Sequence, residues 1–451
     1  MASPSTSVPV EFDAEIRRQA PVGEAEMLTL FIFAALLVLI MIDLPIAVAM
    51  ALTAVAFFVG LDNASVLTML PQRMYASTTG FVLLAVPFFI LAGNLMNTGG
   101  VTNRIFGFAR TLVGHIPGGL GQVCVIGECI FSGISGSALA DAAGMGQVMH
   151  KAMVDSGFKP KISAGLIAAA ATIGPIIPPS IPFVIYGALT GVSVTELFLA
   201  GFIPGFMMAL VMMIALALMA KPRGLPKLKR ASLKEIWKST IDAWACLLGP
   251  VIIIGGILVG WFTPTEAGVV ACIYALVLGL WYKDLAVRHL PGIFWVSVKQ
   301  TISLLFIVSA AGFFGWLTIH QRIPDQIIHT LTNMSATPFG VMTVIMVIVM
   351  MLGFFLEGNA IFIITLPIFL PIAEKFGFEL VNFGVVMTLL IMIGNLTPPV
   401  GMCLFAVSSF SKVDVGTLSK EVLPYLLGIL IVTILCAYYP GISTSLSFLI
   451  K

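Results

Sequence analysis

Long apolar runs recur so often along this chain that little polar sequence remains between them. Runs suited to crossing a bilayer lie near 27 to 42, 44 to 60, 79 to 97, 161 to 190, 197 to 220, 241 to 261, 265 to 282, 297 to 319, 381 to 410 and 422 to 447, which makes ten crossings. Lipid offers a backbone amide or carbonyl no hydrogen bond. With no barrel-like alternation in the sequence, the spans are read as helices. The expected fold class is an all-α polytopic membrane protein. The composition agrees, with 59% hydrophobic and 10% charged residues and a mean hydropathy of +1.08.

Several function classes fall away. A net charge of +2 indicates no nucleic-acid partner, and no Walker-type loop carries a phosphate-binding lysine, so no ATP-driven step is expected. The six cysteines lie scattered through apolar segments without ligand spacing and read as small free hydrophobes. The first 26 residues are polar and acid-leaning. They read as an N-terminal extension, not a cleavable signal peptide.

Two further apolar segments, near 117 to 150 and 337 to 373, are interrupted by small and polar residues and read as re-entrant hairpins. The leg 117 to 131 would span only about 22 Å as a helix, too short to cross. The segment "KPRGLPKLKRASLKEIWK", 221 to 238, carries seven Lys or Arg against one acid and marks the cytoplasmic side. Ten crossings and two hairpins then put 17 of 23 basic residues inside and both termini outside. The first hairpin opens inward and the second outward. The expected organisation is a first repeat over 27–220, a basic linker over 221–240 and a second repeat over 241–451. Each half has five crossings and so the opposite orientation to the other.

The repeat is written in the helix breakers. Pro45 answers Pro264 at a spacing of 219, Pro117 answers Pro338 at 221, and Gly133 answers Gly353 at 220. The pair Pro178-Pro179 answers Pro398-Pro399, also at 220. Inverted repeats with matching discontinuous helices are characteristic of secondary transporters, whose sites lie at the breaks.

Proline lacks an amide donor and displaces the carbonyl four residues earlier, so "GPIIPPSIP" frees several oxygens at mid-depth. Such oxygens suit a hard cation such as Na⁺, and the amino terminus of the following half-helix suits an anion. A plain proline kink is the simpler reading of either break alone. The hairpin tips "FSGISGSALADAAGMG", 131 to 146, and "GFFLEGNAIFIITLPIFLP", 353 to 371, offer Ser132, Ser135, Ser137 and Asn359 as donors or ligands. Close helix packing is the alternative role for their small residues. Asp141 and Glu357 are carboxylates in apolar hairpins and candidates for coupling; Asp141 alternatively caps its leg. Glu128, Glu196, Asp242 and Glu266 lie in or near spans without an assigned role.

The motifs "SGSALADAAGMG", "IGPIIPPSIPFVIYG" and "GNLTPPVGMCLF", in this order and spacing, resemble the large membrane subunit (DctM-like) of tripartite ATP-independent periplasmic (TRAP) transporters. The resemblance implies a sodium-driven elevator-type symporter in a bacterial or archaeal inner membrane. It would work with a separate small four-helix subunit and a periplasmic substrate-binding protein that delivers an organic acid. Carried onto this chain, one sodium site would use Ser132, Ser135, Gly174, Ile177 and Pro179, and the other Gly353, Gly394, Thr397 and Pro399. The substrate would lie near Ser135, Ser137, Asn359 and Asn395, and Arg73 and Arg322 are candidate contacts for the binding protein. Two rivals stay open at this point. One is a stand-alone Na⁺/anion symporter. The other, more remote, is an intramembrane serine protease built on "GISG", 133 to 136, for which no histidine sits at mid-depth.

Overall fold

The computed structural model describes residues 22–61, 64–333 and 337–446. Most of the N-terminal extension, Arg17, Arg18, Lys451 and both termini lie outside the described residues.

Helices make up the described chain and no strand occurs in it. In order they are α1 (Val22–Met41), α2 (Ile46–Gly60), α3 (Leu70–Ala76), α4 (Ala85–Thr98), α5 (Val101–Val113), α6 (Leu120–Ser135), α7 (Ala138–Ala143), α8 (Met145–Asp155), α9 (Pro160–Ala170), α10 (Ile181–Thr190) and α11 (Val194–Ala220). The second half follows with α12 (Leu233–Leu258), α13 (Pro264–Trp281), α14 (Leu290–His320), α15 (Ile323–Asn333), α16 (Pro338–Gly353), α17 (Gly358–Lys375), α18 (Leu380–Gly394), α19 (Met402–Ser411), α20 (Val415–Tyr438) and the short α21 (Gly441–Thr444). Seven helices among the described residues are long and apolar enough to cross a membrane singly. The helices at the two Pro-Pro breaks, α9 with α10 and α18 with α19, are each too short alone and are end-to-end pairs.

The hairpins and breaks fall where the glycines and prolines put them. α6 with α7 and α8, and α16 with α17, form the hairpins, and both Pro-Pro bonds are cis. Packing between the halves is reciprocal. α2 lies on α14 as α13 lies on α4; α9 lies on α19 as α18 lies on α10; α7 lies on α19 as α17 lies on α10. Each half-helix beyond a break therefore rests against the other half's hairpin and broken helix.

The structure refines several sequence boundaries. α1 begins at Val22, inside the segment read as extension, and α12 begins at Leu233, inside the segment read as linker. α12 starts there because Ser232 and Glu235 form a capping box that satisfies two free amides. Thr263 and Glu266 do the same for α13, and Ser193 caps α11 by accepting from the Glu196 amide. Glu196 and Glu266 are thus residues of helix starts. Two helices were not foreseen, α5 and α15, which precede the hairpins at matching places. α5 buries Val101, Thr102, Ile105, Phe106 and Ala109 on one stripe and leaves the rest exposed or half-buried, a pattern too short and too polar to read as a span.

Large apolar side chains such as Leu30, Leu218, Trp237, Trp261, Trp281 and Ile302 are exposed on the outer helices, the surface of a protein solvated by lipid. On one side the bundle is tied by a charge cluster. Glu421 on α20 accepts from Arg223 and lies 3.1 Å from Lys161 Nζ at the start of α9. Glu421→Gln keeps the shape but leaves two cations without their counter-charge. Both cations are partly solvated, so a loss of about 1–2 kcal/mol is expected, read as a fall in unfolding temperature.

Candidate functional site

The first hairpin turns at Gly136, whose φ of 63° is left-handed. The turn lies directly on the first break: Ile181 N–H donates to the Gly136 carbonyl at 3.4 Å. A side-chain carbon added at Gly136 would stand 2.5 Å from the Pro179 carbonyl oxygen. Ser180 braces the break by donating to the Pro175 carbonyl at 2.5 Å and accepting from Phe183 N–H at 3.3 Å. The carbonyls of Gly174, Ile177 and Pro179 accept no hydrogen bond among the described residues. The carbonyls of Ile176 and Pro178 likewise accept none, so the break leaves a run of oxygens free beside a tight turn, and such groups need a partner.

Ser132 and Ser135, on α6, are both buried. Ser132 donates to the Cys129 carbonyl at 2.8 Å and keeps its lone pairs, while Ser135 Oγ has no hydrogen-bond partner. Ser137 is the N-cap of α7, accepting from Ala140 N–H at 3.4 Å. Asp141 lies in the first turn of α7 but does not cap it; both carboxylate oxygens are unpartnered, and a side chain at Gly174 would collide with Oδ2. The capping alternative for Asp141 is thereby removed.

The second hairpin repeats the plan with different contacts. Gly353 ends α16 against Gly394, the last residue of α18, so closely that a carbon added at Gly353 would stand 2.8 Å from Gly394 Cα. Val400 N–H donates to the Phe354 carbonyl at 3.1 Å, fixing hairpin to break as Ile181 does in the first half. The Thr397 hydroxyl donates to the Ile393 carbonyl at 2.6 Å, and the Gly394 carbonyl accepts from Thr397 N–H. The carbonyls of Gly353, Thr397 and Pro399 accept nothing among the described residues. Asn359 donates to Glu357 at 2.8 Å, which accounts for that carboxylate locally. Asn395 lies beside Gly358, so the structure brings the two asparagines to one tip. No hydrogen bond among the described residues joins them to Ser135 or Ser137.

The electrostatics are one-sided. Glu128, Asp141 and Glu421 are the buried charged residues described, and no Lys or Arg is among them. Only Glu421 is paired. Glu128 is a buried acid that sequence reasoning left unassigned; a lone acid in an apolar helix reads alike whether it faces lipid or core. The hairpin also touches α4 and α12: a carbon on Gly93 would lie 3.4 Å from Ser135 Cα, and one on Gly133 would meet Pro250 at 2.7 Å.

Residues 33–442 match the family described as "Tripartite ATP-independent periplasmic transporter, DctM component". The chain is 42% identical over 388 residues to the sialic acid TRAP transporter large permease protein SiaM of Vibrio cholerae, covering 86% of this chain and 91% of that protein. It is 37% identical over 375 residues to the C4-dicarboxylate TRAP transporter large permease protein DctM of Pseudomonas aeruginosa, covering 83% and 88%. Its fold is similar to that of the YdaH transporter of Alcanivorax borkumensis, with a TM-score of 0.62, 16% identity and coverage of 84% and 89%. An all-helical bundle with paired hairpins and breaks, matched along nearly its whole length, makes this chain a member of the DctM family of TRAP transporter large permeases, a membrane transport protein and not an enzyme.

Proposed function

We propose that this chain is the sodium-coupled path by which a small organic acid anion crosses the inner membrane, with sialic acid and C4-dicarboxylates as the substrate classes its relatives' names supply. The observation that carries the reading is the pair of mirrored breaks. Each holds a set of carbonyl oxygens without hydrogen-bond partners, Gly174, Ile177 and Pro179 in one half and Gly353, Thr397 and Pro399 in the other. In each, a hairpin turn is bonded to the break, so an ion bound there orders the turn. Gly394, Ser132 and Ser135 complete the two sodium sets.

The anion is held between the tips, where Ser135, Ser137, Asn359 and Asn395 provide donors and the half-helices α10 and α19 point their amino termini inward. The absence of any buried Lys or Arg among the described residues favours this arrangement over an arginine clamp. Glu357, paired with Asn359, positions that amide, and Asp141 faces the first sodium set. The two halves sit as an inverted repeat with both termini periplasmic. The hairpins and breaks slide as a unit against α1 to α4 and α12 to α14, and sodium drives the cycle because it binds the ordered tips preferentially. A separate small membrane subunit and a periplasmic binding protein complete the assembly.

The test is uptake of radiolabelled sialic acid or succinate into proteoliposomes holding this chain and its small subunit. Uptake is expected only with both an inward Na⁺ gradient and the binding protein. Uptake that persists without the binding protein would instead favour the stand-alone symporter, and uptake indifferent to Na⁺ would sink the coupling.

A further inference from the structure

A cavity of about 310 Å³ lies between α14 and α17, outside both carbonyl sets. Its α14 wall carries Ala311, Gly315 and Ile319, and its α17 wall Ile363, Pro367 and Pro371, each set spaced by four and so on one helix face. Each wall extends about 12 Å. The small residues Ala311 and Gly315 leave room there, and the helices meet where a carbon added at Gly315 would stand 2.9 Å from Pro367 Cγ. α3 packs on α14 beside the cavity, so that a carbon added at Gly312 would stand 3.1 Å from the Arg73 carbonyl oxygen. Arg73 is the one charged residue lining the cavity, and its Cζ lies 5.2 Å from the centre of the Trp316 ring, which lines it too. Arg73 is exposed, and its guanidinium forms no ion pair or hydrogen bond among the described residues.

This combination selects a ligand class. The volume falls at the lower end of the roughly 300–1,000 Å³ of small-molecule sites. Sugar hydroxyls or a second carboxylate set against these walls would lose their water and gain no hydrogen bond, so the transported anion does not fit. An apolar chain does fit, since it is drawn out of water by the same walls. The one charge is positive, and a guanidinium presents a planar fork of donors that matches a carboxylate. Stacking on Trp316 holds that fork against the apolar groove. The groove therefore calls for a molecule with one apolar chain and one carboxylate.

We propose that this groove binds a medium-chain fatty-acid anion, with its carboxylate on Arg73 and its chain between α14 and α17. The site stands apart from the sodium-coupled reading. Its effect on transport rests on that reading: a chain lodged between the sliding second hairpin and α14 holds the two together and slows the cycle.

The experiment titrates decanoate brominated at its chain end, whose bromine quenches indole fluorescence on contact, into proteoliposomes holding this chain and its small subunit without the binding protein. Saturable quenching is expected in the wild type, with the saturable part lost in Trp316→Phe. Arg73→Gln, a change at an exposed position, should need at least about tenfold more ligand for half-saturation, the worth of a charge-assisted bond. Plain decanoate should relieve the quenching and decylamine should not, a pattern that tests the site even if Trp316→Phe does not fold. With the binding protein added, sodium-driven uptake should fall over the same decanoate range in the wild type, and over a tenfold higher range in Arg73→Gln. Quenching that never saturates, or that is equal in wild type, Trp316→Phe and Arg73→Gln, overturns the site. Saturable quenching with unchanged uptake overturns the effect on transport, and with it the sliding of α17 against α14, while the site stands.

Discussion

Alanine at Gly353 is expected to lower sodium-driven uptake at least tenfold and to raise the Na⁺ concentration needed for half-maximal rate. The added methyl would stand 2.8 Å from Gly394 Cα, against an ordinary carbon contact of about 3.5–4 Å. The obstacle is backbone, and the reciprocal approach is equally tight: a carbon on Gly394 would lie 2.7 Å from Gly353 Cα. α16 and α18 must separate by several tenths of an ångström. That overpacking costs about 1–3 kcal/mol and moves the carbonyls of Gly353 and Gly394 apart. Gly255→Ala in α12 is the control, since nothing lies within 4 Å of that position, and its uptake should match the wild type. Equal uptake by Gly353→Ala at equal expression would remove the second carbonyl set from the mechanism.

Alanine at Gly136 is expected to have the larger effect in the first half. Its φ of 63° costs an L-residue about 1–2 kcal/mol, and the methyl would press on the Pro179 carbonyl. Gly191→Ala separates these contributions: its φ of 76° imposes a similar backbone cost, but no atom lies within 4 Å. Gly191→Ala should lose a little stability and keep its uptake. Gly136→Ala should lose uptake altogether, because the bond from Ile181 N–H to the Gly136 carbonyl joins the hairpin turn to the break. Similar uptake by the two variants would mean that contact between turn and break does not matter for transport.

The parts of the fold that were legible are those where one residue type dictates backbone geometry. Pro178-Pro179 and Pro398-Pro399 interrupt helices at the same offset whatever packs around them, and the hairpin turns follow their glycines. The correspondence at Gly133 was read too literally. α6 runs on to Ser135, so Gly133 packs on Pro250, whereas Gly353 ends its helix against Gly394. The capping boxes at Ser232 and Thr263 were open to sequence reasoning, and through the second of them Glu266 loses its apparent place among intramembrane acids. α5 and α15 were hidden because short amphipathic helices resemble polar loops between spans. Glu128 and Asp141 were hidden for a different reason: that each is buried with both oxygens unpartnered is a property of the packing around it, not of its neighbours in sequence.

The central claim is that two mirrored breaks each carry a sodium ion that is transported with the anion. The reversal potential of substrate flux tests it most directly, measured in proteoliposomes that hold this chain, its small subunit and the binding protein while the Na⁺ gradient and membrane voltage are varied. The account predicts a coupling of at least two Na⁺ per anion. A ratio of one, or a reversal potential that does not move with the Na⁺ gradient, would contradict it.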